Sequence, residues 1–267
     1  MKKKVLHIAI LTVVYYLCWL TPLPAQIKAV VPRLQPVWST NCIRAVLLNE
    51  GTGTSLTDMS GTATVSLNIV GLWTTDAEGP FVKTTLVVGV NYVSLNTGLP
   101  GAGVQAYTWY MRIKMASASG SQFGFASTFT GIGVANVNWS GSVENFAWNV
   151  RNATDVCASC VSNTAMAQDR KYNLIGTYDG SNVIFYLNGK KVCTIAQTGN
   201  IDNDGYTTRI GHGINTDVCN GPGSTNPTVQ ILCTAVWNRV LNATEISQIE
   251  KNPYVMFGGV NRARPTQ

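Results

Sequence analysis

The sequence has few charged side chains. Asp, Glu, Lys and Arg make up 12% of its 267 residues, against roughly 25% in an average soluble domain. The hydrophobic fraction of 45% is ordinary, so Ser, Thr, Asn and Gly fill surface that charged residues usually fill. This composition excludes a charged disordered tail protein, a long charged coiled coil and a multi-span membrane protein.

Residue types that build common catalytic sites are also scarce. The one histidine beyond the N-terminal apolar run is His212, which lies between two glycines. A histidine-based zinc site, a Ser-His-Asp triad and a Cys-His dyad would all depend on it. Retaining glycoside hydrolysis needs two carboxyl groups close together, and on a β-strand an acid-x-acid pair would place them on one face. The acid-x-acid pairs of this sequence, Asp76 with Glu78 and Asp202 with Asp204, lie in turn-like sequence instead. We therefore predict that the protein is not an enzyme.

The N-terminus has the pattern of a secretory signal. Lys2 to Lys4 precede an apolar run over residues 5–20, and Ala25 offers a small residue before a cleavage point. The run is shorter than the ~20 residues that span a bilayer, so we predict a cleaved signal peptide and no stable membrane span afterwards. Without the three lysines the net charge falls from +6 to +3. The other basic residues are scattered, so nucleic acid is not an expected partner.

The cysteine count is consistent with export to a secreted or cell-surface location. Six cysteines follow the predicted signal, and an even number in an exported chain suggests up to three disulfides whose pairing the sequence leaves open. Cys157 and Cys160 could form a redox or zinc motif, but no second such pair exists to complete a zinc site. The disulfide candidates are Cys42, Cys157, Cys160, Cys193, Cys219 and Cys233.

After residue 41 the chain consists of short β-type runs separated by turns. Residues 107–115 alternate between apolar and mostly polar side chains, which predicts a half-buried strand. Asp179-Gly180 and Asn188-Gly189 each lie between two apolar runs and predict consecutive hairpins. Many short strands with glycine-rich turns predict an all-β antiparallel sandwich or jelly roll. The aromatic side chains most simply placed in its core are Trp109, Phe146 and Trp148.

A single helix is predicted, near the C-terminus. Asn242 can cap it, Glu245 follows three residues later as in a capping box, and Pro253 marks its end. The predicted divisions of the chain are a signal peptide at 1–25, a lead-in linker at 26–40, one domain at 41–257 and a flexible tail at 258–267.

Several stretches resemble laminin-G-like domains of the concanavalin A-like lectin/glucanase superfamily. They match the family's opening strand and first loop, its central hairpins, and its last strand with the closing helix. The stretches are Leu47 to Thr54, Asp58 to Gly61, Tyr172 to Gly180, Phe185 to Lys190, Ile210 to Gly211 and Ala235 to Ile246. The resemblance covers about residues 41–257. It implies a two-sheet jelly roll of a kind often found in secreted or cell-surface proteins that bind glycans or other proteins.

The resemblance also bears on calcium, the one cofactor it suggests. Family members often hold a structural calcium between an acidic residue of the first loop and an acidic pair in the last strand. Glu50 and Asp58 match the first part and are the candidate metal ligands. Leu232 and Cys233 stand where the acidic pair would be. Because calcium takes six to eight oxygen ligands, the missing carboxylates argue against the family's site.

Aromatic residues in polar sequence are the candidates for ligand contact, because a ring can stack on the apolar face of a sugar. Trp139 and Tyr206 lie in polar sequence that predicts loops. Trp139 lies beside Asn138, and Tyr206 follows Asp204, so each segment combines a ring with hydrogen-bonding groups. These four residues are the predicted ligand-binding residues. The large rings could instead plug the ends of a sandwich, which is their ordinary structural role.

The sequence therefore predicts an exported, non-enzymatic binding module, with a glycan or a surface protein as its partner. The alternative is a structural or assembly subunit of an extracellular, cell-surface or viral particle, in which the sandwich packs against copies of itself. Long unpaired edge strands or an apolar outer patch would favour assembly. A polar groove with exposed rings would favour ligand binding.

Overall fold

The computed structural model describes residues 33–68, 72–84, 92–97, 99, 103–117, 123–127, 137–141, 145–154, 156–201, 207–211 and 228–258. At positions 97, 117, 123–127 and 137–141 it describes the backbone alone. The chain divides into Met1–Val31 and Pro32–Gln267, and all described residues belong to the second unit. The predicted signal peptide and the predicted tail beyond Gly258 lie outside the described residues.

Two large antiparallel sheets form the fold. The first, called here the covered sheet, contains in spatial order β15 (Lys190–Ala196), β14 (Asn182–Leu187), β13 (Lys171–Tyr178), β8 (Tyr107–Ser117), β17 (Thr228–Trp237), β6 (Gly79–Lys83) and β5 (Trp73–Asp76). Strand β2 (Cys42–Leu47) pairs with β17 as well. Strands that are far apart in the sequence lie side by side in this sheet, as in a jelly roll.

The second sheet, called here the polar sheet, contains β12 (Cys157–Val161), β11 (Phe146–Arg151), β10 (Val137–Gly141), β9 (Phe123–Ser127), β16 (Thr207–Ile210), β7 (Val93–Thr97), β4 (Val65–Leu67) and β3 (Ser55–Leu56). The remaining described elements are β1 (Arg33–Leu34), β18 (Phe257–Gly258) and the helices α1 (Pro36–Ser39) and α2 (Ala243–Lys251). The predicted all-β, two-sheet antiparallel jelly roll with one short C-terminal helix is confirmed, and α1 adds a further helical turn.

The main core lies between the two sheets and is built around Trp148. Its ring stacks on Tyr107, with centroids 6.4 Å apart, and meets Trp109 edge-on at 6.0 Å. Trp148 also packs flat against Gly176 of the covered sheet, where an added Cβ would lie 2.2 Å from the ring. Glycine is therefore needed at that position for the two sheets to approach. The predicted core positions of Trp109, Phe146 and Trp148 are confirmed, since all three are fully buried.

A second apolar cluster covers the outer face of the covered sheet. Residues of β2, β8 and β17 that point away from the main core pack against α2, against Trp38 of α1 and against the segment from Tyr254 to Phe257. For this reason the prediction that β8 is half-buried is wrong. Tyr110 and Arg112 lie on its outer face, yet the first is fully buried and the second is 4% exposed.

Local sequence signals placed the hairpins and the helix correctly. Asn188 and Gly189 have φ angles of 49° and 72°, which a tight turn between β14 and β15 requires. At the start of α2 the Asn242 side chain accepts from the Glu245 backbone at 3.0 Å, and the Glu245 carboxylate accepts from the Asn242 backbone at 2.8 Å. Both hairpins and the capping box are confirmed.

Residues 33–40 belong to the fold, although the sequence predicted a linker there. Arg33 lies opposite Gly258 and Leu34 opposite Phe257, so β1 and β18 form a small two-stranded clasp. The next turn buries Trp38, which is 1% exposed, and its carbonyl accepts a hydrogen bond from the Trp237 indole at 2.9 Å. Pairing between such distant parts of the chain leaves no local pattern in the sequence.

Each open side of the sandwich is closed by a link between the sheets. On one side Cys160 of β12 and Cys193 of β15 form a disulfide. On the other, the indole nitrogen of Trp73 in β5 donates to the Gly53 carbonyl, just before β3, at 2.8 Å. Cys157 is disulfide-bonded as well, and Cys219 lies outside the described residues.

The expectation of a disulfide is wrong for Cys42 and Cys233, which are buried thiols. Both lie on the paired strands β2 and β17, but Cys42 is opposite Trp237 and Cys233 is opposite Leu47. The register therefore holds them at opposite ends of the pair, on the order of 15 Å apart. A disulfide requires Cα atoms closer than about 7 Å. In the described part of the chain, no helix is long and apolar enough to cross a membrane.

Candidate ligand-binding face

A continuous row of polar residues crosses the outer face of the polar sheet. In this row each residue is the direct antiparallel partner of the next, and together they contribute one position from each of the eight strands. From β3 to β12 the row is Ser55, Ser66, Ser94, Arg209, Ser127, Asn138, Asn149 and Ser159. With neighbouring strands about 4.8 Å apart, it extends over roughly 34 Å. It is called the polar row below.

The adjacent row has the opposite character and fixes which face is which. From β4 to β12 it runs through Leu67, Val93, Ile210, Ala126, Trp139, Trp148 and Cys160. Leu67, Val93, Ile210 and Cys160 are all buried in the main core. Because successive residues of a strand point to opposite faces, the polar row belongs to the outer side.

The exposure of the polar row changes along its length. Ser55 is exposed, and Ser66, Ser94 and Arg209 are half-buried. Toward the other edge Asn149 is fully buried, and Ser159 is half-buried. The β3–β16 end of the row is therefore the part that the described structure leaves accessible to a ligand.

Arg209 is the charged residue in the middle of this row. Its guanidinium carbon lies 4.4 Å from the centre of the Tyr92 ring, close enough for a cation–π interaction. Its Nε atom is buried and has no hydrogen-bond partner in the structure. Ser94 lies directly opposite Arg209 on β7, so the two residues are neighbours on paired strands.

Two of the four predicted ligand residues lie in the described part of the chain. Asn138 and Trp139 lie in β10, paired on both sides by β9 and β11, so the prediction that Trp139 lies in a loop is wrong. By register Asn138 belongs to the polar row and Trp139 to the apolar row. Asp204 and Tyr206 lie outside the described residues. Ligand contact by any of the four stays a prediction.

Glu50 and Asp58, the candidate metal ligands, accept hydrogen bonds from backbone amides. Asp58 accepts hydrogen bonds from the backbone of Ala45 at 3.0 Å and of Ala63 at 3.2 Å. Glu50 accepts from the Thr57 backbone at 2.9 Å. Within the described residues no group of three His, Cys, Asp or Glu side chains lies close enough to hold a metal ion. Metal binding by this pair stays an untested prediction.

Among the described residues, the densest cluster of charge lies elsewhere, on the outer face of the covered sheet. Arg112 makes a bidentate pair with Glu78 at 2.9 and 3.2 Å, and the Tyr254 hydroxyl donates to the same carboxylate at 2.5 Å. Lys171 bridges Glu78 and Asp76 at 2.9 and 2.6 Å. Every carboxylate oxygen of Glu78 is thus engaged by protein groups. This cluster holds the β5–β6 hairpin and the C-terminal segment onto the sheet and offers no open site.

The hydrogen bonds dominate the ionisation of Glu78. Burial raises the pKa of Glu78, but hydrogen bonds from Arg112, Tyr254 and Lys171 outweigh it and lower the pKa from 4.5 to about 2. Burial also lowers the pKa of Arg112, and its hydrogen bond to Glu78 reverses that effect and raises it. A carboxylate held ionised in this way is a structural anion. It cannot serve as a general acid near neutral pH.

Comparison with known proteins gives the family. A family model described as Laminin_G_3, concanavalin A-like lectin/glucanases superfamily, matches residues 89–247. The chain belongs to this superfamily. The match covers most of the strands of both sheets, including the central part of the polar row. The resemblance in the sequence is thereby confirmed for this laminin-G-like member.

Solved structures share the fold at low sequence identity. The binding domain of Paraclostridial Mosquitocidal Protein 1 aligns with a TM-score of 0.64 and 9% identity, over 80% of this chain and 52% of its own. The receptor binding domain of botulinum neurotoxin D aligns with a TM-score of 0.61 and 11% identity, over 81% and 54%.

A third structure is the botulinum neurotoxin serotype D ligand binding domain in complex with N-acetylneuraminic acid, with a TM-score of 0.60 and 11% identity, over 79% and 51%. This laminin-G-like chain thus spans about half the length of each of these three solved chains. None of the curated proteins compared with it matches.

Proposed function

We propose that this protein is an exported, non-enzymatic binding module for glycans, and that the polar row is its ligand face. The observation that carries the proposal is the row itself. Eight strands contribute Ser, Asn and Arg at adjoining positions of one outer face. The exposed and half-buried end of the row supplies the hydroxyl groups of Ser55, Ser66 and Ser94 and the guanidinium group of Arg209, which suit the closely spaced hydroxyls of a sugar chain.

The contrast with the covered sheet supports this assignment. The outer face of the covered sheet is buried under a second apolar layer, whereas Ser55, Ser66, Ser94 and Arg209 of the polar row remain exposed or half-buried. The toxin domains that share the fold are described as binding domains, and one was solved with a sialic acid. Those descriptions favour binding over catalysis, and the half-length match leaves the ligand of this chain to be tested.

Export is supported by the basic and apolar N-terminus and by the disulfide between the sheets. Disulfides persist in oxidising compartments and are rare in the cytosol of mesophiles. The absence of an acid-x-acid pair inside a strand and of any open carboxylate cluster among the described residues supports a non-enzymatic role.

The edge of the covered sheet bears on the assembly alternative. Strand β15 is seven residues long and largely exposed, which would favour pairing with another copy. It also begins with exposed Lys190 and Lys191, and its register with β14 is interrupted between Phe185 and Tyr186. Charged residues and bulges on an edge strand oppose edge-to-edge pairing. We therefore favour ligand binding over self-assembly.

The test is a glycan array probed with the full chain, expressed in a secretion-competent host and purified from the exported fraction. Ser66→Tyr places a bulky side chain on the polar row, and Thr194→Tyr places the same side chain on exposed β15. We expect Ser66→Tyr to weaken glycan binding at least ~10-fold, because the added ring would occupy the space of the ligand and remove its contacts there. Thr194→Tyr should leave glycan binding unchanged.

Melting temperature and gel filtration are measured on the same samples. Binding that is equal in both variants would remove the polar row from the ligand site. A chain that binds no glycan, and elutes as a defined oligomer disrupted by Thr194→Tyr, would instead support the assembly function.

A further inference from the structure

The polar sheet carries positive charge and no negative charge in its strands. Its eight strands contain two arginines, Arg151 and Arg209, and no Asp or Glu. The ion pairs that join two described residues lie elsewhere, in β5, β8 and β13 of the covered sheet, in the turns next to these strands, and at helix α2. The strands of the polar sheet therefore offer a ligand cationic and neutral side chains.

The two arginines differ in their surroundings. Arg151 is 7% exposed and lies at the covered end of the sheet. Arg209 lies in the accessible half of the polar row, and no carboxylate among the described residues pairs with it. Its described interaction is the one with the Tyr92 ring, which binds the flat face of the guanidinium group. Stacking of this kind leaves the N–H groups of the two terminal nitrogens free to donate, whereas Nε is buried.

A guanidinium group held by its face is prepared for a planar anion. Arginine donates two parallel hydrogen bonds to a carboxylate, and this bidentate geometry is more specific than a single charge contact. The Tyr92 ring restricts the side chain before the ligand arrives, which lowers the conformational entropy lost on binding. Ser94 and Ser66, the next two residues of the polar row, can bond the hydroxyls of the same ligand.

We infer that Arg209, held over Tyr92, binds the carboxylate of an acidic sugar, so that the polar row selects glycans containing sialic or uronic acid. This inference rests on the proposed glycan-binding function and adds its ligand class. Arg209 is the specificity-determining residue, and Tyr92 positions it.

The experiment compares each acidic glycan with its own neutral form. The full chain is titrated with a sialylated oligosaccharide, a uronate oligosaccharide, their carboxyl-reduced counterparts and a sulfated glycan that has no carboxylate. Arg209→Gln should weaken binding of the carboxylated glycans by about 10-fold or more, the usual effect of losing hydrogen bonds to a charged group. Binding of the carboxyl-reduced forms should change less than about 2-fold.

Arg170→Gln is the matched control. Arg170 is exposed and also stacks on a tyrosine, with its guanidinium carbon 5.9 Å from the Tyr172 ring, but it lies beside β13 of the covered sheet. Its replacement should leave every affinity unchanged. Tyr92→Leu should weaken only the carboxylated glycans, and by less than Arg209→Gln does.

Each other outcome has a definite meaning. Equal binding of acidic and reduced glycans, unaffected by Arg209→Gln, overturns the inference and leaves the proposed function standing. Arg209-dependent binding of the sulfated glycan alone overturns the carboxylate assignment. Failure to bind any glycan overturns both the inference and the proposed function.

Discussion

The outer faces of the two sheets differ in whether a second apolar layer covers them. The outer face of the covered sheet carries a second apolar layer under α2 and the clasp, and all ten residues of β17 are buried. The outer face of the polar sheet carries the polar row. Strands β4, β12 and β16 alternate between buried and more accessible positions, although all six residues of β11 are buried. The same two-residue period thus gives a structural face on one side and a candidate binding face on the other.

The difference follows from what each face has to bury. A strand covered on both sides reads as a continuous apolar run, whereas a strand with one solvated face alternates. On the covered sheet the C-terminal segment supplies the second layer, and Tyr110 donates to the Pro253 carbonyl at 2.9 Å to hold it there. Substitutions on the covered sheet should therefore affect the free energy of unfolding, and those on the polar row should affect binding.

The strongest test of this comparison is Trp237→Ala. Trp237 is fully buried in the second apolar cluster, so its truncation should lower the free energy of unfolding by ~3–5 kcal/mol. Ser94→Ala, on the polar row, should change it by less than about 0.5 kcal/mol. Urea unfolding followed by circular dichroism measures the free energy of unfolding of both variants. Tryptophan fluorescence can also follow the unfolding of Ser94→Ala, which keeps Trp237. Comparable losses in the two variants would mean that both outer faces are structural.

The second test removes charge from the buried cluster. Glu78→Gln leaves Arg112 and Lys171 without their shared anion, and breaking one side of a buried pair costs ~3–5 kcal/mol. Asp169→Asn removes the exposed partner of Lys114 and should cost at most about 1 kcal/mol. Urea midpoints of the two variants give the comparison. A Glu78→Gln variant as stable as the wild type would show that the cluster adds nothing to the hold on the C-terminal segment.

The same carboxylate predicts a pH dependence. Because folding lowers the pKa of Glu78 from 4.5 to about 2, its stabilising contribution is complete above about pH 4.5 and is lost as the pH falls toward 2. The wild type should lose stability across this window more steeply than Glu78→Gln. Urea midpoints between pH 2 and 6 measure this, and parallel curves for the two proteins would contradict the assignment.

The disulfide joins the two sheets at one edge and gives the third test. Cys160 and Cys193 are separated by 33 residues, and replacing both with alanine should lower the free energy of unfolding by ~2–4 kcal/mol.

Burial raises the pKa of the Cys42 thiol to about 12, so Cys42 should react with maleimide only after denaturation. Peptide mass spectrometry should then find Cys42 and Cys233 labelled and Cys160 and Cys193 unlabelled without reductant. Labelling of Cys160 under those conditions would contradict the bridge.

The smallest effect is expected from chelation. Asp58 already binds backbone amides, and Leu232 and Cys233 replace the acidic pair of related domains, so EDTA should leave the melting temperature nearly unchanged. Asp58→Ala, by contrast, should cost ~1–3 kcal/mol because it leaves the Ala45 and Ala63 amides without an acceptor. A large drop with EDTA, absent in Asp58→Ala, would identify a bound metal.

Sequence reasoning succeeded where the structure is set by neighbouring residues. The turn at Asn188-Gly189, the cap at Asn242 and the inward face of β8 each depend on interactions within a few positions, and all three were predicted. Glu78 was described from sequence as part of a turn, which is correct, but its partner Arg112 is 34 residues away and gave no sign of the pairing.

The candidate site was beyond reach for the same reason. Alternation marks Ser94 and Arg209 as residues between apolar neighbours, yet nothing local states that β7 and β16 pair in the register that puts them side by side. Trp139 was assigned to a loop because its surroundings are polar, and strand pairing on both sides overrode that composition. Register between distant strands has to be known before a face can be assembled.

The clasp has a practical consequence for engineering. Because Arg33 lies opposite Gly258, the first and last described residues of the fold lie side by side, on the side away from the polar row. A module with adjacent ends can be inserted into a loop of another protein or circularly permuted without stretching its core. Fusion to Arg33 or Gly258 would attach cargo behind the candidate binding face and leave that face open to a ligand.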